Sequence, residues 1–289
     1  MSEVVATGHG SAPVRGLLGS CHPGPTVAVT ALVTLLAWAS GRDAPGLALV
    51  AATVLTGQLA IGWSNDLLDR ERDAAVGRRD KPLVTGAVSP GLVRAAAVAA
   101  LVCCAPLSLA NGLVSGLAHL GAVGWGLAYD AGLKSGVWSG VPYAASFGLQ
   151  VVFVSYGGPN GGPPSPYVVL AAALLAVGAH LTNAAPDLHD DEATGVRGLP
   201  HRLGPRVSVV AAAGCFVASV GLVVWASAER IAPATLALAA AAVALAAVVA
   251  GRALLPGATA VAPGRWLFRC AIAVGALGVA MLVLRGGVR

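Results

Sequence analysis

Two stretches of the chain carry the same pattern of polar residues, with an amide, a carboxylate or a glycine at every fourth position. The positions are Asn65, Asp69, Asp73 and Gly77 in NDLLDRERDAAVG, the first motif, and Asn183, Asp187, Asp191 and Gly195 in NAAPDLHDDEATG, the second motif. Steps of four residues along an α-helix rotate by only about 40°, so each motif is expected to form one acidic stripe. Like charges at this spacing repel each other, and a bound cation is the simplest compensation.

The candidate ligands are carboxylate and amide oxygens, and no cysteine stands near them in the sequence. This set favours Mg²⁺, with Mn²⁺ as the alternative, over Zn²⁺. Magnesium usually combines one or two carboxylates with phosphate oxygens of a substrate. Basic residues follow each motif: Arg78, Arg79 and Lys81 in the first case, Arg197 and Arg202 in the second. Two facing acidic helix ends could therefore hold a magnesium–diphosphate complex whose phosphate oxygens the basic side chains bind.

Long apolar runs divide the chain into predicted membrane spans, and the acidic residues are concentrated in connections on one side of that membrane. Ten of the 13 acidic residues fall in three connections on that side, namely Asp66, Asp69, Glu71, Asp73 and Asp80, then Asp130, then Asp187, Asp190, Asp191 and Glu192. A single charged cluster at a helix end is ordinarily a solvated face. The repetition, the sidedness and the matched spacing together favour a site. His180 is interpreted as a hydrogen-bonded interior residue, and it is also a weak candidate for the site because it shares the stripe of Asn183.

The rest of the chain indicates a membrane protein. Of its 289 residues 56% are hydrophobic and 11% are charged, and the mean hydropathy is +0.78. An ordinary soluble domain has about a quarter of its residues charged. Uncharged apolar runs long enough to cross a bilayer predict an all-α integral membrane protein. The nine predicted spans are 23–41, 44–66, 90–108, 110–128, 138–156, 165–184, 207–227, 231–250 and 266–284.

A polar, glycine-rich segment at 1–22 precedes a single membrane domain at 23–289, and it lacks the apolar run of a signal peptide. Basic residues predict the orientation, since 14 of the 18 lie on the N-terminal side of the predicted topology. The four on the other side are Arg42, Arg230, Arg285 and Arg289. The N-terminus and both motifs are therefore expected in the cytoplasm. The net charge of +5 is interpreted as a topology signal, and no nucleic-acid partner is expected.

These motifs resemble those of a known family. NDLLDRERD resembles the NDxxDxxxD signature of the UbiA superfamily of intramembrane prenyltransferases, and PDLHDDEATG resembles its second Asp-rich motif through Asp187 and Asp191. The loops GRRDKPLVTGAVSP and GVRGLPHRLG are similar as well, as is AYDAGLK with Tyr129, Asp130 and Lys134. The resemblance covers nearly the whole chain. It implies a nine-helix bundle with a central cavity capped by cytoplasmic loops.

Enzymes of this kind bind an isoprenyl diphosphate through magnesium on the two Asp motifs, and transfer the prenyl group to an acceptor that is often aromatic. The resemblance implies Asp66, Asp69, Asp73, Asp187 and Asp191 as metal ligands, with Asn65 and Asn183 orienting them or binding water. The diphosphate contacts are expected to be Arg70, Lys81 and Lys134, followed by Arg72 and Arg202. The acceptor is expected to be aromatic or otherwise lipophilic. No Arg stands beside Pro23, which disfavours a hydroxybenzoate-type acceptor.

Two other functions share some of these features. A terpene cyclase of the same superfamily would use identical Asp motifs, and only its product or cavity shape would distinguish it. A secondary transporter with inverted repeats would place its acids near the bilayer midplane and its repeats on opposite sides. Here the acids end the spans, and an even number of spans separates the motifs. A purely structural role leaves the matched stripes unexplained.

Overall fold

The computed structural model describes residues 11–185, 188–228, 231–254 and 266–289, and the regular structure in these ranges is helical. The helices are α1 (Ser11–Gly19), α2 (Pro23–Ala39), α3 (Ala44–Ala75), α4 (Pro82–Thr85), α5 (Pro90–Leu109), α6 (Leu113–Ala131), α7 (Gly140–Gly157), α8 (Pro166–Ala184), α9 (Leu188–Ala193), α10 (Leu199–Ala226), α11 (Pro233–Leu254) and α12 (Trp266–Arg285). A short 3-10 turn, Leu133–Ser135, connects α6 to α7.

The predicted spans correspond in order to the long helices of the described ranges. Six of these helices are long and apolar enough to cross a membrane. A seventh crossing is added if α1 and α2, which are bent by 61° against each other, form one broken span. The all-helical membrane architecture is therefore confirmed, and the count of nine crossings stays a prediction.

Helix α3 positions the first motif. The Asp43 side chain caps its start by accepting a hydrogen bond of 3.0 Å from the Gly46 amide. The helix has 32 residues, a length of about 48 Å, whereas a bilayer core measures about 30 Å. The predicted span ended at residue 66, but the helix continues to Ala75, and its final turns hold the acids beyond the apolar run.

Small residues let the helices approach closely beside the motif. A Cβ atom on Gly62 of α3 would lie 2.4 Å from the Cys21 carbonyl oxygen, so only glycine allows this contact. The junction between α1 and α2 therefore lies against α3, one turn before Asp66. Helix α1 in turn packs on the segment that contains α4, since Gly16 faces the Ala87 carbonyl. The N-terminal segment is thus partly helical and packs beside the first motif.

The second motif is divided between two described helices, and its predicted stripe runs through residues outside the described ranges. Helix α8 ends at Ala184, and the separate short helix α9 begins at Leu188. A proline, Pro186, stands between them in the sequence, and proline has no amide hydrogen with which to continue a helix. Asp187 lies outside the described residues, so its place on the stripe stays a prediction.

The segment after the second motif also differs from its prediction. The span predicted at 207–227 belongs to a helix that begins at Leu199 and bends at Gly204, where φ is +76°. Pro205 follows this glycine, and together they account for the bend. The first part of α10 consequently lies beside α9 at the end of the bundle that carries the motifs. We call this the motif end, and the end that carries Asp43 the opposite end.

Candidate active site

Asp66 is the most buried acid of the first motif, with 1% of its surface exposed. One carboxylate oxygen, Oδ1, lies 2.9 Å from His22 Nε2 and 2.7 Å from Lys81 Nζ. His22 precedes α2 and Lys81 precedes α4, so two separate segments converge on one oxygen. The other oxygen, Oδ2, is buried and has no hydrogen-bond partner among the described residues.

His22 was not among the predicted site residues. It is the one non-glycine residue of the described ranges with positive φ, at +53°. Such left-handed backbone is costly for a side chain with a Cβ atom, and it persists where surrounding contacts enforce it. The contact with Asp66 and the close packing of Gly62 on Cys21 supply that enforcement. A histidine directly before a proline at a helix start was the only sequence signal available.

Two positively charged side chains bind Asp69. Lys134 Nζ lies 2.5 and 2.7 Å from its two carboxylate oxygens, and Arg72 contacts it from one turn further along α3. Lys134 is itself buried, in the 3-10 turn beyond α6. Burial lowers the pKa of Lys134 to about 8, and the nearby Arg72 charge also lowers it, whereas the surrounding carboxylates raise it. The ammonium is thus held in a poorly solvated position by carboxylates.

Asp73 completes the stripe of the first motif. Lys81 Nζ lies 4.0 Å from its Oδ2 atom, so this lysine stands between Asp66 and Asp73. The predicted contacts Lys81, Lys134 and Arg72 are therefore all at the acids.

Arg70 is not brought to this cluster. It is exposed and lines an open pocket of about 350 Å³ with Ser64, Leu67, Leu68, Pro90 and Arg94. Arg202 is also exposed, and no described contact ties it to the acids.

The second motif faces the same region through its last carboxylate. Asp191 interacts electrostatically with Lys134 and with the Tyr129 hydroxyl. His201 Nε2, at the start of α10, lies 3.3 Å from Asp191 Oδ2. Asn183 is exposed at the end of α8, where its amide interacts with the Tyr143 hydroxyl. Lys134 therefore binds Asp69 of the first motif and lies within electrostatic range of Asp191 of the second.

Both motifs end in the same backbone turn. Gly77 and Gly195 have φ of +69° and +85°. The amide that follows each glycine donates to the carbonyl of the last motif aspartate, from Arg78 to Asp73 at 2.9 Å and from Val196 to Asp191 at 2.8 Å. This is the usual glycine-terminated helix end. The sequence repeat is therefore also a repeat of local structure at the ends of α3 and α9.

His180 is an interior residue, as its sequence context suggested. Its Nε2 lies 3.0 Å from the Ser139 hydroxyl, which accepts a hydrogen bond of 2.9 Å from the Leu199 amide. The His180 ring also packs against Tyr143 and Tyr129, with centroids 4.8 and 5.6 Å away. These contacts join α6, α7, α8 and α10 beneath the motif end, and they explain why a histidine lies in an apolar span.

The side chains present suit a hard cation only when a substrate completes the coordination. Among the described residues, no group of three or more His, Cys, Asp or Glu side chains is placed to hold a metal ion. The Oδ2 atom of Asp66 has no hydrogen-bond partner among the described residues, so it is available to bind a metal ion. The carboxylates of Asp69 and Asp73 face lysines that a diphosphate would also attract. This arrangement fits Mg²⁺, which takes few carboxylates and completes its shell with phosphate oxygens and water.

The comparison with protein families decides the identity. The model of the UbiA prenyltransferase family matches residues 27–268. The chain belongs to the UbiA prenyltransferase family. Digeranylgeranylglyceryl phosphate synthase of Natronomonas pharaonis is 33% identical over 244 residues, which cover 78% of this chain and 86% of the relative.

Solved structures of UbiA homologues share the fold. The homologue from Archaeoglobus fulgidus bound to GPP and Mg²⁺ superposes with a TM-score of 0.73, at 18% identity, over 92% of this chain and 98% of that one. The apo homologue from Aeropyrum pernix also gives 0.73, at 19% identity, over 90% and 97% of the two chains. The UbiA fold is thus shared over nearly the whole chain. The family match and the 33% identical relative make this protein a membrane prenyltransferase.

Proposed function

We propose that this UbiA enzyme transfers an isoprenyl group from a prenyl diphosphate to a lipophilic acceptor, with Mg²⁺, and releases diphosphate. The observation that carries the proposal is the pairing of motif carboxylates with lysines from other segments, Lys134 on Asp69 and Lys81 on Asp66. Carboxylates that can hold a cation and ammonium groups that can hold an anion thus meet in one cluster. A metal diphosphate requires both.

The proposed binding step exchanges partners within this cluster. Asp66, Asp69, Asp73, Asp187 and Asp191 would hold the metal, directly or through water. Lys81 and Lys134 would then turn from the carboxylates to the diphosphate oxygens, with Arg72 beside them. Asn65 and Asn183 would orient the acids. Because Lys134 is buried, its charge acts in a poorly solvated site, where a fixed cation stabilises an anion more strongly than in water.

The chemistry is the breaking of the allylic C–O bond. Negative charge develops on the leaving diphosphate and positive charge on the allyl group. Bound Mg²⁺ would stabilise the first of these as a Lewis acid, and the lysines add their charges. Helices that exclude water limit hydrolysis of the allyl cation.

The acceptor class is proposed from the relatives. One relative is named for making digeranylgeranylglyceryl phosphate, which supports a prenylated glyceryl phosphate as the first acceptor to test. An aromatic acceptor is the second, as for many enzymes with these motifs. Cyclisation of the donor is the remaining alternative, and the Asp motifs serve it equally well.

The proposed orientation places the motif end in the cytoplasm, in agreement with the excess of basic residues there. Single cysteines introduced at Arg79 and at Asp43, in a cysteine-free background, would test it in intact cells. We expect a membrane-impermeant maleimide to label the Asp43 position and to leave the Arg79 position unlabelled until the cells are opened. The reverse pattern would overturn the orientation.

The activity test uses the detergent-purified protein with C10, C15 and C20 prenyl diphosphates, with and without Mg²⁺ and with each acceptor class. Mass spectrometry of the extracted products identifies the prenylated species. We expect magnesium-dependent diphosphate release that requires an acceptor. Release without acceptor that yields a cyclic hydrocarbon or alcohol would instead establish a cyclase. No release under any condition would reject the enzymatic proposal.

A further inference from the structure

Asp130 is a buried carboxylate that the roles above do not use. It lies near the end of α6 with 6% of its surface exposed. Its Oδ1 atom accepts a hydrogen bond of 2.8 Å from Asn65 Nδ2, the amide that begins the first motif. Its Oδ2 atom is buried and has no hydrogen-bond partner among the described residues. An unsatisfied buried carboxylate oxygen is costly, and such groups are typically retained for function.

The surroundings of Asp130 place it beside the proposed diphosphate site. Lys134 follows it by four residues, in the 3-10 turn beyond α6, and binds Asp69, while Asn65 is adjacent in sequence to Asp66. Among the described residues, the titratable and charged groups that interact with its carboxylate include His22, Arg72, Tyr129, Lys134 and Tyr143. Asp130 thus contacts the first motif through Asn65, while its second carboxylate oxygen is buried beside the same cluster without a hydrogen-bond partner among the described residues.

The transfer reaction needs a group that can accept a proton. An acceptor hydroxyl, or the ring carbon of an aromatic acceptor, must lose a proton when it forms its bond to C1 of the prenyl group. Among the described side chains at the proposed diphosphate site, His22 has its Nε2 atom held against Asp66. The two lysines are donors, and the motif carboxylates are assigned to the metal. A carboxylate with one unoccupied oxygen outside the metal set is suited to accept the proton.

We propose that Asp130 is the general base that takes the proton of the acceptor. The C1–O bond breaks with its electron pair leaving on diphosphate, and the acceptor atom supplies the pair for the new bond to C1. The acceptor proton passes to Asp130 Oδ2, because Oδ1 is held by Asn65. The products are the prenylated acceptor, diphosphate and a protonated Asp130, which returns its proton to water. This inference rests on the proposed function.

The test compares wild type with Asp130→Asn in the presence of geranyl diphosphate, Mg²⁺ and a prenylated glyceryl phosphate, or the aromatic acceptor if wild type uses that one instead. Asparagine keeps the size of the side chain and an oxygen that can accept from Asn65. We expect transfer to fall about 10²–10⁴-fold, the usual contribution of a general base. Binding of geranyl diphosphate with Mg²⁺, measured as the rise in unfolding midpoint, is expected to stay unchanged. The fall in wild-type transfer at low pH should be absent from the residual activity of the variant.

The matched control is Asp43→Asn, which makes the same chemical change at the opposite end, where asparagine caps a helix as well as aspartate does. Its transfer rate should equal that of wild type. If Asp130→Asn does not fold, Asp130→Ser and Asp130→Glu replace it, with the glutamate variant expected to regain part of the activity and the serine variant none.

Two outcomes overturn the inference. Transfer by Asp130→Asn at the wild-type rate would show that no base is needed at this position. Loss of donor binding, or a raised magnesium requirement, would make Asp130 part of the metal and diphosphate site. Failure of the proposed function is a separate result, because it would appear as a wild-type protein without magnesium-dependent transfer.

Discussion

Lys134 reaches Asp69 across 65 residues of sequence, with its ammonium nitrogen 2.5 and 2.7 Å from the two carboxylate oxygens. The lysine comes from the turn after α6 and the aspartate from the last turns of α3. This one contact joins the region after the fourth predicted span to the first motif. Under the proposed function, this positive charge would stabilise the leaving diphosphate.

Replacement of that lysine should therefore damage the chemistry more than the fold. For Lys134→Met we expect kcat/KM to fall by about 10²–10³-fold, the effect of removing one fixed donor from developing negative charge. The protein should remain folded, because Arg72 still contacts Asp69. Steady-state transfer assays and the thermal unfolding midpoint measure the two effects.

Arg70→Met is the matched comparison for this variant. It also removes a positive charge from the predicted diphosphate contacts, but Arg70 lines a separate open pocket. We expect a clearly smaller loss of kcat/KM than for Lys134→Met. Equal losses of kcat/KM would mean that the contact of Lys134 with Asp69 makes no particular contribution to catalysis.

Substitutions of His22 should change the stability and the activity of the protein differently, because the backbone of this residue is strained. In His22→Gly the left-handed conformation is relieved, whereas His22→Ala keeps it, so the glycine variant should be more stable by about 1 kcal/mol. Both variants lose the imidazole contact with Asp66 and should lose activity to the same degree. Chemical unfolding and transfer assays on the pair would check this. An alanine variant with full activity would rule out a role for the imidazole.

The two motif glycines should respond alike to substitution. Gly77 and Gly195 both have positive φ, and a Cβ atom on either would meet nothing within 4 Å. Alanine at each position should therefore destabilise the protein through backbone strain alone, by about 1–2 kcal/mol.

Gly221 is the control, since it also has open space around it but lies inside α10 without positive φ. Gly221→Ala should stabilise the protein by about 0.5–1 kcal/mol. Thermal unfolding in detergent measures all three variants. Destabilisation by Gly221→Ala as large as that by the other two would remove the strain argument.

The fold was largely predictable because apolar runs and helix periodicity are local properties. The span at 44–66 and the acidic stripe of the first motif follow from residue spacing within one helix, and α3 has both. Pairings between helices were not predictable in this way. The contacts of Asp66 with His22 and of Asn65 with Asp130 depend on which helix faces match, and on glycines such as Gly62 that set their separation. The break between α8 and α9 was missed because the matched spacing outweighed the proline in the second motif.

Magnesium and diphosphate should stabilise the protein together rather than singly. Lys81 and Lys134 occupy the carboxylates of Asp66 and Asp69, so a metal alone must displace them without giving them a new partner. A diphosphate supplies that partner. We expect Mg²⁺ with geranyl diphosphate at about 100 times its Kd to stabilise the fold by about 2.7 kcal/mol.

Neither component alone should raise the unfolding midpoint by more than a small part of this amount. EDTA added to the loaded protein should abolish the rise. Full stabilisation by Mg²⁺ alone would indicate a preformed metal site and contradict the exchange of partners.

Diphosphate release by purified wild type, Asp69→Asn and Asp43→Asn would show whether the motif carboxylates support magnesium-dependent prenyl transfer. We expect release by wild type and Asp43→Asn only with Mg²⁺ and an acceptor, and a loss of about 10²-fold or more in Asp69→Asn. Full magnesium-dependent turnover by Asp69→Asn, or equal release by wild type without magnesium, would contradict this expectation.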